Sequence, residues 1–375
     1  MAGQPKNTGF LTNRGELRPG FSFWEWKDSL AGLDAVVIGA GLVGSNAALR
    51  LRERHPSWRI AVLDRSAFGG ASTRNAGFAC FGSPSELLDD WKSLGRDATV
   101  ELVRMRWEGL QALRRMWGDK ALGYRACGAV EAFTDAELLG ECQFMLSELN
   151  ASLADVLGGV AFEAQNNVAG LHHLCGALAS PLEGDLDTAS LAHTLKDALH
   201  RSQIPVLSGV EVTGLDHVSG KWEVRTTHGC FAVPHVLVAT NAWSRALLNV
   251  DVHPVTNHVV VSHPLPHLHL TQTVHHDRGY IYAREVDGRL LIGGGRHWEG
   301  DDTQRVERLI QWAQRHIQGA QDWRTAHHWT GMLGVGDVRQ PIVQEIEPGL
   351  VAGIRLGGMG VAIGTRVGQR LADLV

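Results

Sequence analysis

The sequence predicts an α/β protein: a doubly wound (Rossmann-like) parallel-sheet domain into which an α+β unit with an antiparallel sheet is inserted. Three observations carry this reading. The β-branched run Ala35-Val36-Val37-Ile38 leads into a glycine-rich turn and then a helical pattern from Leu42 to His55. The apolar run Arg59 to Leu63 follows and ends at Asp64, completing a β-α-β unit. Farther along, strand-like runs dominate at 206–238, 259–262, 280–284 and 290–293.

Taken in order, residues 1–33 read as an irregular arm whose Phe21, Phe23, Trp24 and Trp26 pack on the domain surface. Helices fill 85–158: Val100, Val103, Trp107, Leu110 and Leu113 line one face of the first, and Leu138, Leu139, Cys142, Met145 and Leu149 one face of the second. Thr134 with Glu137 predicts a capping box for the second helix, and 128–133 a short strand between the two. Asp187 caps a helix running to His200; the strands after it suit a sheet extended by a meander. A helix over 303–317, and a strand, glycine-rich turn and helix over 341–375, complete the chain. The expected division gives 34–85, 165–250 and 334–375 to the first domain, and 86–164 with 251–333 to the second, which holds the substrate.

Composition narrows the function. Of 375 residues, 44% are hydrophobic and 20% charged, which is globular rather than disordered. The net charge of -5 gives no reason to hold nucleic acid. Five scattered cysteines without a C-x-x-C pair read as reduced thiols of a cytoplasmic protein. The amino terminus lacks an apolar signal core, and the uncharged run between Asp34 and Arg50 is shorter than the roughly 18 residues of a membrane span.

The chemistry begins at Gly39-Ala40-Gly41-Leu42-Val43-Gly44. Gly39 permits the turn, Gly41 lets a pyrophosphate approach the backbone, and Gly44 lets helix pack on strand, so that phosphates meet the positive helix end. Asp64, twenty residues after Gly44, stands where a carboxylate accepts hydrogen bonds from ribose hydroxyls, with Arg65 beside it. Next comes a small, polar, glycine-rich loop, Gly69-Gly70-Ala71-Ser72-Thr73-Arg74-Asn75-Ala76-Gly77-Phe78. The competing reading of the first motif is a glycine turn in an unrelated α/β protein.

With that loop the chain resembles the D-amino-acid oxidase superfamily of flavoproteins, which includes glycine oxidase, sarcosine oxidase and γ-glutamylputrescine oxidase. The resemblance extends over Glu183-Gly184-Asp185-Leu186-Asp187, over Glu211 to Leu215, over Val236 to Trp243 and over Gly357 to Thr365. It implies FAD, bound without a covalent link. Its contacts would include Ala71, Ser72, Thr73, Asn75, Ala76 and Gly77, with Val212 against the adenine. Thr240, Asn241, Ala242 and Trp243 would line the flavin side of the sheet. Gly357, Gly358, Met359, Gly360, Val361 and Ala362 would bring backbone to the isoalloxazine ring. The implied reaction is hydride transfer from a C–H next to nitrogen of an amine or amino acid, with oxygen or another electron acceptor as oxidant. The lack of a second G-x-G-x-x-G argues against NAD(P)H. A dehydrogenase of hydroxy acids or amines, and a non-catalytic flavin-binding partner protein, are the alternatives.

For the substrate, Arg284 matches in place an arginine of glycine oxidase; it either anchors a carboxylate or pairs with a neighbour such as Glu285. Arg355, just before the terminal glycines, either is a second candidate anchor or faces solvent. His258 either tunes protonation near the ring or is a hydrogen-bonded core residue. Tyr282 either closes the pocket or packs an interface. The resemblance also marks two departures, since Ala362 and Met332-Leu333 stand where relatives carry a lysine and an arginine. The histidines between His253 and His276 read as a surface hairpin, because no nearby cysteine or carboxylate pair completes a metal site.

Overall fold

Ala35–Ile38 lies near the middle of a six-stranded sheet, flanked by His235–Val238 and Ile60–Asp64, with Val37 level with Leu237 and Val62. Beyond these neighbours lie Leu350–Ile354 and then Ile342–Glu347 on one side, and Val206–Ser208 on the other. All pairings are parallel except that of Ile342–Glu347 with Leu350–Ile354. The computed structural model describes residues 20–67 and 69–375. Both faces of the central strands are covered, which is why they read as unbroken apolar runs. On one face Val37, Val62, Leu237 and Val351 meet helix Leu42–Arg54 through Val43, Ala47 and Leu51, and helix Gly360–Asp373 through Val367 and Leu371. On the other, Val36, Ile38 and Leu63 meet Trp222, Val224 and Phe231. The expected extension of the sheet is therefore a separate three-stranded meander of Val212–Val218, Lys221–Thr226 and Gly229–Val233, folded over that face.

A second sheet has eight strands in the order Thr325–Val335, His253–Ser262, Arg289–Gly294, Ile281–Val286, Thr273–His276, Ala129–Phe133, Gly176–Ser180 and Glu163–Gln165. Its back packs through Val260, Ile281, Ala283 and Ile292 on Leu309 and Ala313 of helix Asp302–His316. Its front carries Val259, Val261, Tyr282 and Leu291 against Ala76 and Phe78, which follow the glycine-rich loop.

Sheet membership moves two expected boundaries. Gly176–Ser180 pairs with Ala129–Phe133, so the return to the first sheet comes after 180 rather than at 165. Helix Arg96–Trp117 falls in the span expected for the second domain, yet Leu102 sits in the core of the parallel sheet. A Cβ on Gly109 would stand 2.2 Å from the Ala362 carbonyl oxygen. Periodicity shows which helix face is apolar, not which sheet it meets.

The arm also differs. Residues 1–19 lie outside the described ones; Phe23–Glu25 and Trp26–Leu30 form two helical turns. Phe21 packs on the core, but Phe23, Trp24 and Trp26 are exposed. Helix Ala136–Leu157 is capped by Asp135 instead of Thr134, its carboxylate accepting from the Glu137 and Leu138 N–H groups at 2.9 and 3.3 Å. Asp135→Ala is therefore expected to cost about 1 kcal/mol in urea denaturation and Thr134→Ala close to nothing. Among the described residues no helix is long and apolar enough to cross a membrane, and all five cysteines are free thiols.

Candidate functional site

At the carboxyl ends of the parallel strands a cleft of about 680 Å³ opens between the glycine turn, the meander, the terminal glycines and the edge of the second sheet. The turn is built as its residue types require. Gly39 has φ 108°, and a Cβ on Gly44 would fall 1.8 Å from the Gly39 oxygen, so strand and helix touch backbone to backbone. The Asp64 carboxylate accepts from Ala40 N–H at 2.7 Å and Ser66 N–H at 2.8 Å, holding the turn open toward the cleft. Leu42 N–H donates to Ser72 Oγ at 2.8 Å, joining the helix start to the glycine-rich loop. At one end the Arg65 guanidinium lies 4.0 Å over the Trp243 ring and 3.8 Å from Glu211. At the other, Asn241 Oδ1 accepts from Leu356 N–H and fixes the terminal turn.

Most expected cofactor contacts line this cleft: Gly39, Gly41, Leu42 and Val43; Asp64 and Arg65; Ala71, Ser72 and Asn75; Val212; Thr240 to Trp243; and Gly357, Gly358, Gly360 and Val361. Six do not. Gly44 is packed under the turn, and the Thr73 hydroxyl donates to the Gly70 carbonyl. Ala76 packs on the second sheet, and Gly77 is enclosed by the Leu186 carbonyl and Arg284. Met359 caps the terminal helix with its sulfur against Cys80, and Ala362 is buried beneath Leu110. Each belongs to a segment other residues of which reach the cleft.

The residues present fit FAD. The N–H groups opening helix 42–54 form an anion seat. At Gly357 and Gly358 a Cβ would meet nothing within 4 Å, so the terminal turn bares its backbone to open space. Sequence reasoning missed Glu211, Thr330, Leu356 and the lining role of Met332 and Leu333. For Met332 and Leu333 the signal was present as an apolar departure from a charged position.

None of the four candidate catalytic residues lines the cleft. His258 is fully buried on the back of the second sheet, its Nδ1 3.2 Å from His328 Nε2 and its Nε2 3.2 Å from Asp302. Burial lowers its pKa, keeping it neutral. Strand alternation puts its neighbour Asn257 on the front instead, where the Asn257 amide donates to the Tyr282 hydroxyl at 3.0 Å. Tyr282 is pushed up to about 12 by burial, so its phenol stays protonated, with Phe78 edge-on at 5.2 Å.

Arg284 is buried against Asp185 at 3.1 Å, and the same carboxylate takes both arms of Arg125 at 2.8 and 2.6 Å. Glu285, the neighbour considered as its partner, pairs with Arg125 instead. Arg355, at φ 63°, is held by Asp251 at 2.7 Å and the Gln340 carbonyl at 2.8 Å. Both guanidiniums are thus paired with carboxylates of the chain itself.

Arg296 is different. Its guanidinium lies 4.3 Å over the Tyr280 ring, and among the described residues no carboxylate oxygen comes within 4.0 Å of it. Arg296 lies in the turn that follows strand Arg289–Gly294, where Gly295 N–H donates to the Tyr280 carbonyl. Burial draws its pKa below the usual arginine range.

Residues 34–374 match the family described as DAO, FAD dependent oxidoreductase. The chain is 24% identical over 371 residues to gamma-glutamylputrescine oxidoreductase of Escherichia coli, covering 91% of this chain and 83% of that protein. It is 23% identical over 340 residues to the bifunctional protein ThiO/ThiG of Synechocystis sp., covering 83% of this chain but only 46% of that longer protein. The crystal structure of glycine oxidase from Geobacillus kaustophilus shares the fold, with TM-score 0.67, 22% identity, and coverage of 91% of this chain and 94% of that one.

Proposed function

This chain belongs to the DAO family of FAD-dependent oxidoreductases, and from that premise we propose that it oxidises the C–N bond of an amino acid to the imine. The observation that carries this choice of substrate is Arg296, a partly buried cation that makes no ion pair within 4.0 Å among the described residues and on which Glu86 acts only from farther away. A bound carboxylate supplies the missing charge through paired N–H···O bonds. FAD, which the glycine turn, Ser72 and the terminal glycines would hold, would supply the acceptor for a hydride from the carbon next to nitrogen. The nitrogen proton leaves to solvent, the two electrons go with the hydride, and water hydrolyses the released imine. Oxygen would be the final acceptor of the two electrons.

The chain's part in this is orientation and exclusion of water. Met332, Leu333 and Leu356 make an apolar wall. The Asn257 amide fixes the neutral Tyr282 hydroxyl on the front of the second sheet. None of the five cysteines lines the cleft, which supports FAD held without a covalent bond.

The test is anaerobic mixing of the purified holoprotein with amino acids of both hands, the matching decarboxylated amines and hydroxy acids, while flavin absorbance is followed. Amino acids are expected to bleach the flavin and hydroxy acids to leave it oxidised; bleaching by hydroxy acids alone would reverse the reading. Arg296→Ala is expected to raise KM for amino acids roughly 30-fold or more, as loss of one partner of a desolvated charge pair does, and to leave the amines unaffected. An equal change for both classes would assign Arg296 to structure.

A further inference from the structure

Behind the terminal glycine turn, away from the cleft lining, Cys80, Glu183 and His275 bring a thiol, a carboxylate and an imidazole together. One ligand atom from each lies within 4.8 Å of the others, and all three residues are buried. Glu183 is oriented for a further partner: its Oε1 accepts from Phe81 N–H at 2.7 Å and Gly82 N–H at 3.2 Å, while Oε2 faces His275 Nε2 at 3.4 Å. That Nε2 is buried, with the Glu183 carboxylate as its neighbour. Phe78 lies edge-on to the imidazole at 5.3 Å, and Met359 Sδ is 3.6 Å from Cys80 Sγ.

We propose that these three side chains form a structural zinc site. Sulfur, nitrogen and oxygen donors of this kind are a zinc set. Ligand bonds of roughly 2.0 to 2.3 Å in a tetrahedron put donor atoms about 3.3 to 3.6 Å apart. The Glu183–His275 separation of 3.4 Å falls in that range. Charge also balances: on binding, the protons of Cys80 Sγ and His275 Nε2 leave to solvent, and thiolate plus carboxylate neutralise the dication in a place shielded from water. The Met359 thioether is a weak fourth donor. The two backbone N–H groups on Glu183 serve as the outer shell that holds a ligand in place.

The ligands come from the segment after the glycine-rich loop, from the residue preceding strand Gly184–Asp185, and from the second-sheet strand Thr273–His276. The ion would therefore pin that sheet to the segments beneath it. It serves no step of the oxidation.

The test is metal analysis of holoprotein purified from zinc-supplemented cells and dialysed, using mass spectrometry and zinc-edge X-ray absorption. The expected result is one zinc per chain, with one sulfur at about 2.3 Å in its first shell, and less than about a tenth of that zinc in Cys80→Ser and His275→Gln. Wild-type protein with under a tenth of an equivalent, or zinc coordinated by nitrogen and oxygen alone, overturns the proposal. So does full zinc in both variants. If the variants fail to fold, the wild-type metal content and sulfur shell decide the matter.

Discussion

Gly41→Val is expected to give a folded protein that purifies with about a tenth of the wild-type flavin or less. Gly41 is the N-cap of helix 42–54, with φ -76° and ψ -173°, a conformation open to any residue. The backbone therefore tolerates the change. Its Cβ would stand 3.0 Å from Ser72 Oγ, and the valine methyls would fill the space in front of the N–H groups that open the helix. The ratio of flavin to protein absorbance, read beside a thermal melt, checks this. A variant that melts like wild type and keeps all its flavin would move the phosphate seat elsewhere. Gly44→Ala makes the contrast, because its methyl meets backbone at 1.8 Å and the fold itself is expected to fail.

The second large effect is expected at Asp185. This carboxylate is 1% exposed and takes Arg284 and both arms of Arg125. Asp185→Asn leaves the buried Arg284 guanidinium without its counter-charge, which typically costs about 3 to 5 kcal/mol. Arg125 is half exposed and regains water, so the loss falls mainly on Arg284. Urea denaturation in saturating FAD separates this from cofactor loss. The double variant Asp185→Asn with Arg284→Met is expected to recover most of the stability. If Arg284 instead holds a substrate carboxylate, Asp185→Asn would barely move the midpoint and Arg284→Met would alter KM.

The floor of the cleft was legible in the sequence because its determinants are contiguous: the strand, the glycine turn, Asp64 and the loop after it lie within forty-odd residues. The roof was not. On a strand, adjacent residues face opposite ways, and the sequence does not mark which of Asn257 and His258 lies on the front of the second sheet. Arg284 finds its partner about a hundred residues earlier. Arg296 sits in no motif. Thr325–Val335 escaped notice because its residues are mostly half-buried or exposed and its His327-His328 pair breaks the apolar alternation. The histidine-rich stretch showed no metal partner nearby, and His275 meets Cys80 and Glu183 only through the fold.

The order of strands in the parallel sheet has a consequence for biosynthesis. Ala35–Ile38 and Ile60–Asp64 leave the ribosome early, but their sheet is not filled until Leu350–Ile354 arrives, and the terminal helix that covers one face comes later still. Until then a nascent chain carries a glycine turn with half its walls and an uncovered apolar face, a state prone to aggregation. Flavin can be captured stably only after translation has passed the terminal glycines. Cofactor supply would then act on a chain that already contains Gly357 to Val361, and a stop codon ahead of residue 350 should leave apoprotein for the proteases, however intact the first motif.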